Sequence, residues 1–334
     1  MTLPRPNLFL IGSMKSGTTY LGDLLAQHPA IFMCLPKEPC YFVDSRVLRR
    51  AWPYMWRHGY WRSADRYLRL FAHAGGKTII GEASTVYSQI PLYSGVPERI
   101  EAFSPNARFI YIMRDPVDRA ISHYWFRVRW WREQRPMLTA LRDDPYYRNV
   151  SHYARQLQEY VRHFGLERIY ALTYEALVAD PLGELNRLYG WLGVDSTFRP
   201  TTIGVATNVR PDVVNQVRGY GLLDRLRRAS LYARLAPYLP RAARNLGSRL
   251  AARSLRPAEV PVDEVSEYLR PLQLRETEEL RALLHRSFPE WQTLYGASMA
   301  VQPSGYGDVG PGGEESRQLL SSRSSIRARS MMRR

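Results

Sequence analysis

A three-layer α/β fold, a central parallel sheet flanked by helices, follows from three features of the chain. Short, wholly apolar runs of strand length alternate with segments of helical periodicity. Strands separated by helices imply βαβ crossovers, and hence a parallel sheet covered on both faces. The first apolar run also leads directly into a loop of small residues that opens a helix. The elements then follow in order. Asn7–Gly12 (NLFLIG) reads as a buried strand. Gly17–His28 reads as a helix, with Leu21, Leu24 and Leu25 on one side and Pro29 as its stop. Thr78–Gly81 is a second strand and Arg108–Met113 (RFIYIM) a third. Pro116 opens a helix that runs to about Trp125. Ser151–Phe164 carries Tyr153, Leu157 and Tyr160 along one helical side. Arg168–Thr173 is a fourth strand, Pro181–Leu192 another helix, and Glu276–Phe288 a closing helix that ends near Trp291.

With 334 residues, 45% hydrophobic and 23% charged, the chain can bury a large core, which excludes a wholly disordered protein. No apolar run reaches the roughly 18 residues of a membrane span, and MTLPRPNLFLIGS lacks a signal-peptide cleavage site. Cys34 and Cys40 are too few for a disulfide framework, and the seven histidines show no metal-binding spacing. The expectation is a cytoplasmic, reduced protein without a metal.

The net charge of +16 is unevenly spread. Residues 218–256 hold ten arginines against Asp224, with leucines at helical spacing broken by Pro237 and Pro240. They read as a basic amphipathic helical segment within a domain spanning 1–298, suited to peripheral contact with an anionic membrane. The Gly/Ser/Arg-rich tail, 299–334, reads as disordered. Only Lys15, Lys37 and Lys77 are lysines, against 44 arginines. In such a chain each lysine is a candidate for a task that needs a compact point charge.

Lys15 lies in GSMKSGTTYL, residues 12–21. A small-residue loop between a strand and a helix N-terminus gathers backbone N–H groups and the positive end of the helix dipole, which together cradle an anion. An ordinary βα turn also uses Gly and Ser. The lysine and the hydroxyls of Thr18 and Thr19 favour a phosphate site. The loop is not a Walker A motif, because its lysine precedes the last glycine. In RFIYIMRD, Arg114 before Asp115 is an odd setting for a magnesium ligand.

LIGSMKSGTTYLGDLL followed by RFIYIMRDPVDRAISHYW resembles the two nucleotide-binding signatures of sulfotransferases that use 3′-phosphoadenosine-5′-phosphosulfate (PAPS). TYEALVADPLGELNRLYGWLGV, residues 173–194, and the closing RETEELRALLHRSFPEWQ resemble later segments of the same family. The resemblance spans roughly residues 7–210 and 262–295 and implies a fold like that of the P-loop nucleotide hydrolases. It also implies that Lys15, Ser16, Gly17, Thr18 and Thr19 hold the 5′-phosphosulfate, with Lys15 stabilising the leaving group. Arg114 and Ser122 would then bind the 3′-phosphate, and Tyr174 the adenine. Without the resemblance, Arg114 reads as a surface ion pair with Asp115 or Asp118, and Tyr174 as a core aromatic. The family's C-terminal basic glycine loop has no match, and Asn208 with Arg210 is a weak stand-in.

LPKEPCYF, residues 35–42, resembles a segment of Golgi-type carbohydrate sulfotransferases, the heparan sulfate ones above all, where a glutamate after a lysine is the base. That residue is Glu38; Lys37–Glu38 as a solvated loop pair is the plain reading. His123 and His58 are the fallback bases. Cys40 stands where the heparan group usually has histidine, Val43 where it often has aspartate, and Ala83 where it often has lysine. These departures argue against a heavily sulfated or carboxylated acceptor. Trp52, Tyr54, Trp56, Tyr60, Trp61 and Tyr67, with Trp125, Trp130 and Trp131, could stack on a sugar, line a lipid-like cleft or fill the core. The reading is a PAPS-dependent O-sulfotransferase acting on a hydroxyl of a carbohydrate, glycolipid or similar acceptor. A P-loop kinase-like phosphoryl transferase is the alternative enzyme. A basic nucleic-acid-binding protein is the alternative of another class, disfavoured because the charge sits mainly in 218–256 and the tail.

Overall fold

The computed structural model describes residues 3–131, 133–204, 212–217 and 252–296. Five parallel strands form the sheet: β1 (Leu8–Gly12), β2 (Ile31–Met33), β3 (Ile79–Ala83), β4 (Arg108–Met113) and β5 (Ile169–Thr173), in spatial order β2-β3-β1-β4-β5. Alternate residues of the central strands feed two separate cores. Leu8, Leu10, Ile110 and Ile112 face a cluster built with Leu21, Leu24, Leu185 and Leu188. Phe9, Ile11, Phe109, Tyr111 and Met113 face another, built with Val117, Leu157, Tyr160, Leu269 and Trp291. This two-sided burial is why the strands read as unbroken apolar runs.

The chain leaves β1 toward β2 and leaves β4 toward β5, on opposite sides of the boundary between these adjacent strands. Such a reversal opens a crevice beyond the C-terminal strand ends, where ligands of open α/β sheets bind. The loop of residues 12–19 and the segment from Arg114 follow the two strands that flank it.

One strand was not expected and two expectations need correction. β2 carries no sequence signal, being three residues long. The closing helix runs over Asp263–Leu284, thirteen residues further toward the N-terminus than its sequence reading, with Pro271 inside it. Buried Val265, Leu269, Gln273, Thr277 and Leu280 on either side of Pro271 hold it helical. The end of the basic stretch is not helical: Ala252–Leu255 is a strand, β7, paired antiparallel with Val214–Val217, β6. The helical readings over 218–250, together with Asn208, Arg210 and the tail, lie outside the described residues.

Candidate active site

The loop after β1 turns sharply. Lys15 adopts φ 72°, and Gly17 caps the helix Thr18–Leu25 at φ 88°. A Cβ on Gly17 would lie 2.6 Å from Cδ2 of Tyr174, and one on Gly12 would lie 2.3 Å from Ser88 Oγ. Glycine at both positions lets the loop close onto its neighbours. The buried hydroxyls of Ser13 and Ser16 bond each other at 2.6 Å. Lys15 extends its Nζ over the Phe126 ring, 5.0 Å from the centroid. Burial, then the charges of Arg114, Arg129, Lys37 and Arg119, lower its pKa to about 8. A cation so crowded by other cations marks a place built for an anion.

After β4, Asp115 caps the helix Pro116–Phe126. Its Oδ1 accepts from the N–H of Val117 and Asp118, and its Oδ2 accepts from the N–H of Leu294 at 2.8 Å. This explains the odd Arg114–Asp115 order: the aspartate is committed to backbone donors and ties the closing segment to the sheet. Arg114 remains half-buried, with its guanidinium 5.3 Å from the Tyr174 ring centroid and 3.9 Å from Asp118. Tyr174 therefore lies against both the loop after β1 and the segment after β4. Ser122 lies half-buried on the same helix, two turns on. Beneath it Arg119 is fully buried; it donates to Ser151 Oγ and the Tyr147 carbonyl, and has no carboxylate partner among the described residues.

The loop that carries Glu38, residues 34–40, is fastened to β3 and its continuation. Cys34 N–H donates to Gly81 O at 2.9 Å and Glu38 N–H to Ala83 O at 2.8 Å. Thr85 donates to the Glu38 carboxylate twice, from N at 2.8 Å and from Oγ1 at 2.9 Å. Lys37 points the other way: its Nζ donates to Thr18 Oγ1 at 2.8 Å and Thr19 Oγ1 at 2.9 Å. Burial lowers the Lys37 pKa. Burial also raises that of half-buried Glu38, against the pull of Lys37 and the Thr85 bonds. Glu38 and Cys40 take φ 64° and 56°, so with Lys15 three non-glycine residues in the two site loops sit in the left-handed region. Such strain persists only where surrounding contacts enforce it.

Sequence reasoning placed Lys15, Ser16, Gly17, Thr18, Thr19, Arg114, Tyr174 and Glu38 at one end of the sheet, and the structure assembles them there. It did not find Thr85, whose only signal is a hydroxyl pair just past a strand (GEAST), nor the reach of Lys37 to the phosphate loop. His123 is no accessible base: it is fully buried, and burial with Arg119 and Arg127 holds its pKa well below the ordinary histidine value. Cys40 is buried, with Sγ donating to Glu38 O at 3.1 Å, and Ala83 is buried beside it. Asp44 is taken up as a helix cap, accepting from Arg46 and Val47 N–H. Among the aromatics, Tyr67 and Trp125 are core, Trp56 and Trp61 stack on each other, and Tyr54 and Trp130 are exposed.

Comparison with known proteins agrees with this geometry. A membrane-associated sulfotransferase, kil1 of Dictyostelium discoideum, is 34% identical over 125 residues, covering 37% of this chain and 24% of that protein. Heparan sulfate glucosamine 3-O-sulfotransferase 3B1 of Mus musculus is 28% identical over 206 residues, 57% of this chain and 46% of that protein. The chain thus spans less than half the length of either relative. A crystal structure of a sulfotransferase from Alicyclobacillus acidocaldarius shares the fold, with a TM-score of 0.60 at 24% identity over 86% of this chain and 99% of that one. The model of the sulfotransferase family matches residues 6–198. The chain belongs to the sulfotransferase family, enzymes that transfer a sulfuryl group to an acceptor.

Proposed function

We propose that this enzyme moves the sulfuryl group of PAPS to a hydroxyl of a carbohydrate, glycolipid or similar acceptor, with Glu38 as base and Lys15 as the cation at the leaving group. One observation carries the reading. Lys37 binds the Thr18 and Thr19 hydroxyls while the next residue, Glu38, presents a carboxylate oriented by Thr85. The donor loop and the base are thereby joined through two adjacent residues.

The residues fit the donor. The Arg114 fork meets Asp118 only at 3.9 Å, which supports its giving N–H groups to a 3′-phosphate. Ser122, two turns along the same helix, supplies a hydroxyl. The Tyr174 ring, under Arg114 and against Gly17, offers a flat face to adenine. Ser16, Gly17, Thr18 and Thr19 line the phosphate loop at the start of its helix. When bound, PAPS supplies the sulfuryl group and a phosphate leaving group. Lys15 places a fixed positive charge where negative charge grows as the sulfuryl group departs. Glu38 takes the acceptor's hydroxyl proton on a carboxylate oxygen, and its raised pKa strengthens it as a base. Thr85 N–H binds Oε2 and Thr85 Oγ1 binds Oε1, which fixes the carboxylate plane and leaves each oxygen lone-pair capacity to accept the proton. The commitment of Asp115 to backbone N–H groups weighs against the kinase alternative, which needs an acidic metal ligand at that position.

For the acceptor, the mouse relative's name specifies 3-O-sulfation of a heparan sulfate glucosamine, which supports a sugar hydroxyl here. The small, uncharged Cys40 and Ala83 in the seam beside Glu38 offer no cation to a heavily sulfated or carboxylated chain. A location at the cytoplasmic face of an anionic membrane, and a domain spanning 1–298, remain parts of the proposal. No described helix is long and apolar enough to cross a membrane. The test is incubation with sulfur-labelled PAPS and a panel of neutral oligosaccharides, glycolipids and heparan fragments, without magnesium. Label transfer to a hydroxyl of a neutral acceptor is expected. No transfer to any member of the panel, or phosphoryl transfer from ATP with magnesium in a parallel incubation while PAPS gives none, contradicts the reading.

A further inference from the structure

We propose that Glu82, held as the neutral acid, is a positioning residue for the Glu38 loop, and that its ionisation slackens this loop and ends turnover on the alkaline side. The inference rests on reading Glu38 as the base.

Glu82 lies in the stretch that fastens the loop. Its neighbours in sequence accept the loop's N–H groups: Gly81 O from Cys34, Ala83 O from Glu38, and Ser84 Oγ from Cys40 at 3.4 Å. Thr85 then holds the base itself. The Glu82 side chain is 0% exposed, has no ion pair, and neither oxygen makes a hydrogen bond of normal geometry among the described residues. Burial raises its pKa to about 8, and the Tyr87 and Tyr67 hydroxyls oppose that rise.

Those two tyrosines also reach the loop's continuation. Tyr87 OH accepts from Phe42 N–H at 3.4 Å. The Tyr67 ring stacks on Tyr41, with centroids 4.1 Å apart and planes within 4°, and packs edge-on against Phe42. The carboxyl therefore shares its walls with the segment that carries Glu38.

The titratable groups around it come from each packed element: Cys34, Glu38 and Cys40 from the loop, Tyr67 from the helix Ala64–Leu68, Tyr87 from the turn after β3, and Tyr160 from the helix Tyr153–Phe164. Burial pushes the thiols and phenols up, so they stay neutral. The remaining charge is Glu38, also an anion, and no cation is paired with Glu82 among the described residues. A second buried anion facing Glu38 is relieved only by admitting water or parting the seam. The sign follows from linkage. An acid whose pKa rises from 4.5 to about 8 on folding keeps a proton that the unfolded chain has lost, so stability falls as pH climbs through that window.

The experiment uses the full chain, reading release of 3′-phosphoadenosine-5′-phosphate (PAP) from saturating PAPS with water as the acceptor, and thermal unfolding, from about pH 6 to 10. At saturating donor the bound phosphates hold Lys15 charged, so its titration appears in donor affinity rather than in kcat. Glu82→Ala is expected to lose kcat roughly tenfold to a hundredfold, the scale of a misplaced catalytic group, without weakening PAP binding. Glu82→Gln, neutral at every pH, restores kcat to within about threefold of the parent and moves the alkaline fall up by at least about one pH unit. Its stability gains on the parent as pH rises. Should Glu82→Gln fail to fold, Tyr67→Phe removes a hydroxyl that favours the ionised carboxyl and shifts the fall upward too. An alkaline fall that stays put in these variants, or a stability difference between Glu82→Gln and the parent that is flat with pH, overturns the proposal. If Glu38→Gln keeps turnover, the base reading fails on its own, while the pH-dependent stability difference still reports on Glu82.

Discussion

The two halves of the site are built on different principles. The half proposed to bind the donor, residues 12–19 with Arg114 and Tyr174, gathers cations. Lys15, Lys37, Arg114, Arg119 and Arg129 stand close enough that the others depress the Lys15 pKa. In the proposed acceptor half, Lys37 turns toward the donor side, buried neutral Cys40 and Tyr93 stand near the Glu38 carboxylate, and its pKa moves up, not down. Crowded like charges store affinity for a polyanion, whereas an apolar, hydrogen-bonded wall makes a carboxylate basic. Variants on the acceptor side should therefore change the rate, and most on the donor side should change affinity.

Four variants test that division. Glu38→Gln keeps shape and removes basicity; kcat for PAPS turnover should fall roughly 10²–10⁴-fold with PAP affinity unchanged. Parallel loss of PAP affinity would merge the two halves. Lys15→Ala should cost roughly 10²–10³ in kcat, the worth of one preorganised charge at the transition state. It straddles the division, because donor affinity in the parent should also weaken as pH rises through about 8, where Lys15 loses its proton. Calorimetric titration of PAP against pH reads this, and a Lys15→Ala profile that retains the same dependence assigns it elsewhere. Arg114→Ala should weaken PAP binding roughly tenfold to a hundredfold, the loss of charge-assisted hydrogen bonds, and reduce kcat at saturating donor far less. The smallest effect is expected from Thr85→Val, about tenfold in kcat. Losing the Oγ1 donor removes a bond that favours the ionised form, so the Glu38 pKa rises further and the acid-side fall of the rate profile moves to higher pH. Movement to lower pH would contradict the orienting role.

The same division governs what the sequence reveals. The donor half is local. Strand, turn glycine, lysine and helix hydroxyls lie within GSMKSGTTYL, and Arg114 directly follows a strand whose bounds, Arg108–Met113, the apolar run marks to the residue. The acceptor half is assembled across the chain. Thr85 meets Glu38 over 47 residues, and Lys37 meets Thr18 over 19, and no periodicity announces either pairing. Elements behave likewise. Pro181–Leu192 carries its own cap and proline and is legible. β2 is three residues that become a strand only by pairing with β3, and Ala252–Leu255 only by pairing with Val214–Val217. Pro271 reads as a breaker, yet the helix around it survives because its flanks are buried, and tertiary packing outweighs the local cost of about 3 kcal/mol.

The proposed mechanism requires donor recognition to be separable from base chemistry at adjoining loops. Calorimetric titration of PAP without magnesium into the parent, Arg114→Ala and Glu38→Gln, paired with PAPS turnover of each, measures this directly. The expected result is tight metal-free binding by the parent and Glu38→Gln, binding weakened about tenfold or more in Arg114→Ala, and turnover lost chiefly in Glu38→Gln. No PAP binding by the parent, or full turnover by Glu38→Gln, would contradict it.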